Sequence, residues 1–220
     1  MTKVYVLEIS FPLAFFKVPY TIKNRNTLFI PRKKSIVSIF NAFFNDPLSF
    51  WIIKKRRRKK KCEEENKKIT HYLVGAEIIS NVNKTIELQR IVQVKEVVAE
   101  RIISSTELLF NVKYRLYLVA ENILVNSNPV NYYPFAGQND YLADYWNLYT
   151  KNFDIIVLKN QKIKLDFFQL VDKNFIEIEK DAEILREDLF DNYIAIRGNV
   201  YIKNEVKALK DENGKYILLF

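Results

Sequence analysis

The residues in this chain best equipped for chemistry are cations and aromatic rings rather than acid–base pairs. Residues 15–44 read FFKVPYTIKNRNTLFIPRKKSIVSIFNAFF. Lys17, Lys23, Arg25, Arg32, Lys33 and Lys34 are spread along this segment, with Tyr20 and Phe29 between them. Lysine and arginine displace counterions from phosphates, and rings stack on unpaired bases. The combination suits the backbone of a single-stranded nucleic acid. Pro19 and Pro31 keep the first part out of a long helix. Ser35 then reads as an N-cap, and Ile36, Ile39, Phe40 and Phe43 fall at i, i+3, i+4 and i+7. A helix is expected from Ser35 to Asn45, stopped by Asp46-Pro47.

A second concentration of charge follows. Lys54, Lys55, Arg56, Arg57, Arg58, Lys59, Lys60 and Lys61 are eight consecutive basic residues. Residues 54–68 carry +7 of the formal +9 of the chain. The run has the composition of a surface loop. Three readings stay open: a solvated loop with no fixed partner, a contact to the phosphates of RNA or of a DNA duplex, or a patch for a membrane surface or nuclear import. The preceding apolar stretch, Leu48 to Ile53, is too short for a membrane anchor.

Evidence for catalysis is thin. His71 is the single histidine. With Tyr72 and Lys68 it would supply the base and acid that metal-free RNA cleavage needs. The plainer reading is a surface or packed histidine. Asp140 with Asp144, and Asp181 with Glu183, read as solvated or helix-capping acids rather than metal ligands. With 4 glycines, the chain has no GxGxxG and no Walker-type loop. Cys62, the one cysteine, has no partner for a disulfide or a metal. No cofactor and no metal site are expected.

These residues need elements to position them. Residues 3–10 alternate as a first strand, which does not read as a signal peptide. No stretch approaches the length of a bilayer span. An intracellular, cytoplasmic location is expected. Residues 69–80 read as a second strand, and 81–105 as a hairpin or extended arm. Residues 107–120 are the strongest strand. Phe110, Val112, Tyr114, Leu116 and Leu118 form one face; Asn111, Lys113, Arg115 and Tyr117 form much of the other. That second face is either solvated or an RNA platform of the RRM kind. Leu142, Tyr145, Trp146 and Tyr149 predict a second helix, as core rather than as a base-stacking box. Strand-like pieces follow at 154–158, 162–170, 174–179, 193–202 and 215–220, with a short helical piece at 181–190. Asn213-Gly214 signals a hairpin. Residues 1–120 carry +13 and residues 121–220 carry −4, which suggests one basic working face. The expected fold class is α+β: an RRM/ferredoxin-like core over residues 1–152, with an inserted hairpin, and a β-rich C-terminal region over 153–220.

Several stretches, in this order, resemble one family. They are Leu13-Ala14-Phe15-Phe16-Lys17-Val18-Pro19, then Pro31-Arg32-Lys33-Lys34-Ser35-Ile36. Then come residues 107–117 (ELLFNVKYRLY), Phe135-Ala136-Gly137-Gln138-Asn139-Asp140-Tyr141, and the ending Tyr216-Ile217-Leu218-Leu219-Phe220. Together they resemble the CRISPR-associated Cas family five, RAMP proteins built on RRM-like folds, and most of all its I-B branch. The chain departs from the pattern at Ser38, where the family has glycine, at Ala136, where it has leucine, and in the basic run.

The resemblance implies a non-catalytic subunit of a type I Cascade surveillance complex. Such a subunit grips the 5′ handle of the guide RNA (crRNA), caps the filament of backbone subunits and lies near the large subunit. Residues 81–105 would be its thumb, with Arg90, Lys95 and Arg101 available for contacts. The handle would lie across Lys17, Tyr20, Lys23, Arg25, Arg32, Lys33, Lys34 and Ser35, with Lys113, Arg115, Gln138 and Asn139. The basic run would reach RNA or the target DNA duplex. Most I-C members of the resembled family process guide RNA themselves, so a metal-independent endoribonuclease is the alternative.

Overall fold

A computed structural model describes residues 1–17, 24–45, 72–95, 98–120, 125–137, 141–187 and 192–220, with backbone alone for 24–25, 89–95, 98–104 and 186–187. Twelve strands and one α-helix are described. In chain order they are β1 (Thr2–Ala14), β2 (Asn24–Arg25), α1 (Lys33–Asn41), β3 (Leu73–Ile78), β4 (Asn83–Lys95), β5 (Val98–Val119), β6 (Tyr145–Leu158), β7 (Gln161–Asp172), β8 (Ile176–Ile178), β9 (Glu183–Glu187), β10 (Tyr193–Ile202), β11 (Val206–Lys210) and β12 (Tyr216–Leu218). Among the described residues, every strand pairing apart from the parallel β2–β5 is antiparallel.

The centre of the sheet is β6–β1–β5–β3, followed by β7 and β10. Alternation in these strands sends apolar side chains to both faces. On one face Leu7, Ile9 and Phe11 of β1, Val74, Ala76 and Ile78 of β3, and Val112, Tyr114, Leu116 and Leu118 of β5 pack with Ile36, Val37, Ile39 and Phe40 of α1. On the other face Val4, Val6, Tyr117 and Phe153 meet Leu209, Ile217 and Leu219, contributed by β11 and the C-terminal segment. The end of the chain also returns to β3. The Val74 N–H donates to the Phe220 carbonyl at 3.2 Å, and the Phe220 N–H donates to the Val74 carbonyl at 3.0 Å. A third cluster joins β7 and β10 to Ala208 and Leu218.

Strand β5 has 22 residues, more than the sheet needs. From Val98 to Leu108 it pairs with β4 and, at Ser105–Thr106, with β2, whereas Leu109 and Phe110 lie between β4 and the end of β1. Its second half pairs with β1 and β3. Thus a two-stranded hairpin extends from the sheet over the span for which sequence suggests an arm. At its root the register slips by one residue: Ile78 faces Tyr114, whereas Asn83 faces Phe110. Asn111 takes φ +50° there, and the Ser80 hydroxyl accepts the Lys113 N–H at 2.9 Å. A bulge of this kind bends a strand pair and changes its twist.

Four expectations are corrected. The residues expected to form a second helix, Tyr145, Trp146 and Tyr149, lie in β6, so the fold is dominated by antiparallel sheet rather than α+β in balance. Apolar groups at i, i+1 and i+4 also fit a strand that carries rings on both faces. Trp146 and Leu148 pack toward the α1 core, and Tyr149 and Phe153 toward the other. The helical piece expected at 181–190 holds strand β9, paired with β10. Helix α1 begins at Lys33, with Arg32 in extended backbone at the cap and no side-chain cap bond, so Ser35 lies inside the first turn. At the kink of Asn111 the alternation turns over: Leu109 is buried and Phe110 is 44 % exposed.

Candidate nucleic-acid interface

The site is built where β1 ends. After Ala14 the chain leaves the sheet, and its backbone groups find new partners. The Phe15 N–H donates to the Ala136 carbonyl at 3.2 Å, and the Leu28 N–H donates to the Phe16 carbonyl at 2.8 Å. The Phe16 N–H donates to the Thr27 hydroxyl at 2.9 Å, and Lys17 pairs with Thr27 as an isolated antiparallel bridge. Residues 15–17 are therefore held between two other segments: residues 27–28 and the turn at 135–137.

The segment 24–30 is tied in turn to the root of the hairpin. Asn24 and Arg25 run parallel to Ser105 and Thr106. The Glu107 carboxylate accepts the Thr27 N–H at 3.2 Å and pairs with the Lys84 ammonium at 2.9 Å. That ammonium lies 4.2 Å from the centroid of the Phe29 ring. Tyr114, wholly buried, donates its hydroxyl to the Phe29 carbonyl at 2.6 Å and meets Phe16 edge-on at 5.8 Å. Burial pushes the Tyr114 phenol well above its ordinary pKa. From the other side, the Tyr141 hydroxyl reaches the Glu87 carboxylate of β4 at 3.4 Å. Three groups of residues distant in sequence, Phe15–Lys17 with Thr27–Phe29, Lys84 and Glu87 with Glu107, and Ala136 with Tyr141, thus interlock at the base of the hairpin.

Lys17 is exposed on this junction. Ile30 and Pro31 are buried and lead directly into α1, so Arg32, Lys33 and Lys34 stand at its N-terminus. Lys34 is exposed, and Arg32 and Lys33 are half-buried. Burial lowers the Lys33 pKa. A helix start has unpaired N–H groups and a positive dipole end, both of which favour an anion. The first turn of α1 has no acidic residue to compete.

The strand residues expected to join this site lie elsewhere. Lys113 and Arg115 alternate with Tyr114 and Leu116 and so stand on the face opposite α1. Lys113 is exposed. Arg115 is committed to internal pairing. Its Nη2 lies 2.7 Å from Glu8 and its Nε donates to the same oxygen at 2.8 Å. Tyr117, expected on a polar face, is buried and donates to Glu77 at 2.7 Å. Burial and the Glu77 charge push its phenol far above the ordinary range. Glu77 is fully buried and also holds the Lys215 ammonium at 2.9 Å. The feature absent from the sequence reading is this set of paired charges. Its sequence signals were Glu8 and Glu77, each a carboxylate inside a largely apolar strand.

Tyr20, Lys23, Gln138, Asn139, His71, Lys68, Cys62 and the run 54–61 lie outside the described residues. Arg25, Arg90, Lys95 and Arg101 are described by backbone alone. Among the described residues no cluster of His, Cys, Asp or Glu is arranged to hold a metal ion. No described helix is long and apolar enough to cross a membrane.

No protein-family model matches the chain, and no curated protein matches it. Among solved structures, it is similar to a chain of a CRISPR RNA-guided surveillance complex. The two share 12% identity with a TM-score of 0.47, over 93% of this chain and 91% of that chain.

Proposed function

We propose that this chain is a non-catalytic, RNA-binding subunit of a type I CRISPR Cascade surveillance complex. In this reading it grips the 5′ handle of the guide RNA and caps the filament of backbone subunits. The observation that carries it is the convergence at the base of the hairpin. The stretches that resemble Cas family five, around Phe15–Lys17, Glu107 and Phe135–Gly137, are far apart in sequence and meet at one junction. The handle would run over Lys17 and the Arg32–Lys34 helix start. The hairpin of β4 and β5 would serve as the thumb between handle and spacer, against a neighbouring backbone subunit. In support, Ile86 and Leu88 of β4 are 67 % and 72 % exposed, an apolar surface that a two-stranded ribbon cannot bury alone. The run 54–61 would add contacts to RNA or to the DNA duplex, and the large subunit would dock close by.

The test is binding of repeat-derived RNA by the purified chain, with Lys17, Lys33 and Lys34 replaced by alanine. Loss of affinity with an unchanged fold supports the reading; unchanged binding at moderate salt refutes it. Repeat RNA should stay intact in EDTA. A defined cleavage product, lost on His71→Ala, would replace this reading with that of a processing ribonuclease.

A further inference from the structure

We infer that Glu107 is a positioning residue for RNA binding: its carboxylate locks the β4–β5 hairpin to the segment 24–30, and through that segment it holds Lys17 and the start of α1 in place. The binding consequence rests on the handle reading above, whereas the link itself rests on the contacts alone.

The hairpin needs such a lock. Between Val98 and Leu108 the described strand partners of β5 are β4 and, at Ser105–Thr106, β2. A two-stranded ribbon has little stability of its own. At its root the register slips beside Asn111, at φ +50°, so the ladder there is bent rather than continuous.

The two oxygens of Glu107 face two different segments. Oε1 lies 2.9 Å from the Lys84 ammonium of β4, and Oε2 accepts the Thr27 N–H at 3.2 Å. Thr27 is buried, so its N–H needs an acceptor within the protein. From Thr27 the path to the proposed RNA contacts is short in both directions. On one side its hydroxyl accepts the Phe16 N–H at 2.9 Å, and its backbone pairs with Lys17. On the other, the Leu28 N–H donates to the Phe16 carbonyl at 2.8 Å, and the Phe29 carbonyl accepts the Tyr114 hydroxyl at 2.6 Å. Ile30 and Pro31 then lead into α1. The segment therefore has the hairpin root along one side and the backbone that carries Lys17 along the other.

A carboxylate suits this place because both of its oxygens accept at once. A carboxamide has one acceptor oxygen and turns its NH₂ group toward the second donor. Glu107→Gln thus keeps the shape and gives up one of the two links. The change also has a diagnostic sign. It removes a negative charge beside a surface proposed to hold a polyanion, so by charge alone RNA affinity would rise. Through lost positioning it falls.

The experiment uses the full chain, with amide hydrogen exchange followed by NMR and a filter-binding titration with repeat-derived RNA. In Glu107→Gln the Phe16 and Leu28 amides should exchange at least about threefold faster, and RNA affinity should fall at least about threefold, the scale of one hydrogen bond. Lys84→Met should reproduce the faster exchange, and Lys84→Arg, which keeps the pair, should match the parent. Glu77→Leu lowers stability from the opposite face of the sheet and should leave RNA affinity at the parent's value wherever the variant is folded. An affinity that is unchanged or raised in Glu107→Gln overturns the positioning role, as does a fall of equal size in Glu77→Leu. Phe16 and Leu28 amides that exchange at the parent's rate overturn the link. A parent chain that does not bind the RNA refutes the handle reading instead, and the exchange rates then decide the link by themselves.

Discussion

Gly137 rests its α-carbon against the carbonyl of Phe15. A β-carbon at that position would lie 1.7 Å from the Phe15 oxygen, and the glycine holds φ at +81°. Both conditions admit only glycine. The contact joins the turn at 135–137 to the strand exit at 15–17 and so fixes the junction where Lys17 is displayed.

Replacing that glycine should therefore damage both stability and binding. Gly137→Ala is expected to lose roughly 1–3 kcal/mol from backbone strain alone, with more from the clash. Chemical denaturation with far-ultraviolet circular dichroism measures the loss. RNA affinity at a temperature where the variant is folded should fall as well, because residues 15–17 must shift. A variant as stable as the parent would show that the turn yields without cost.

The carboxylate of Glu77 links β3 to the C-terminal hairpin. Beyond its bond to Lys215, Gln169 ties it to β12, donating to the Tyr216 carbonyl at 2.8 Å and accepting the Leu218 N–H at 2.9 Å. Glu77→Leu leaves Lys215, which is 15% exposed, without its counter-charge. Breaking one side of a buried pair costs roughly 3–5 kcal/mol. Adding Lys215→Met should recover part of the loss, and a double-mutant cycle in urea would measure the recovery. Failure to recover would argue against direct pairing.

Alkaline pH should destabilise the fold through its phenols. The pKa values of Tyr114 and Tyr117 are raised in the folded state, so above the ordinary tyrosine pKa of about 10 the unfolded chain releases protons that the folded chain keeps. Stability is then complete below that pH and falls as pH rises further. In a tyrosinate absorbance titration, some of the 13 tyrosines should titrate only with unfolding. Tyr117→Phe should flatten the alkaline slope. Normal titration of every tyrosine in the folded protein would contradict this.

Salt dependence tests the proposed handle contact. Each phosphate contact to a single strand contributes about 0.7 to the slope of log affinity against log salt. Removing Lys17, Lys33 and Lys34 should lower that slope by about 2. Filter binding at several salt concentrations gives the slope, and an unchanged value would mean that these cations touch no phosphate.

The sequence by itself determined local strand structure and the segments where cations gather. Strand β10 spans Tyr193–Ile202, the same bounds that periodicity assigns. The Asn213-Gly214 signal falls between β11 and β12, with Gly214 at φ +79°. The helix after Pro31 and the crowding of cations at its start were equally legible, because both follow from neighbours in the chain.

Tertiary structure decided what side-chain spacing leaves ambiguous. Tyr145, Trp146 and Tyr149 match a helix as well as a strand with rings on both faces, and only pairing of β6 with β1 separates the two. Arg115 reads as a free cation on a polar face until Glu8, 107 residues away in sequence, is seen against it. Whether a strand face meets solvent depends on what the rest of the chain lays over it. Here that is the β11–β12 segment, which covers Tyr117 and Glu77 and leaves Lys113 exposed. Burial and charge pairing are set by contacts distant in sequence, and no local pattern encodes them.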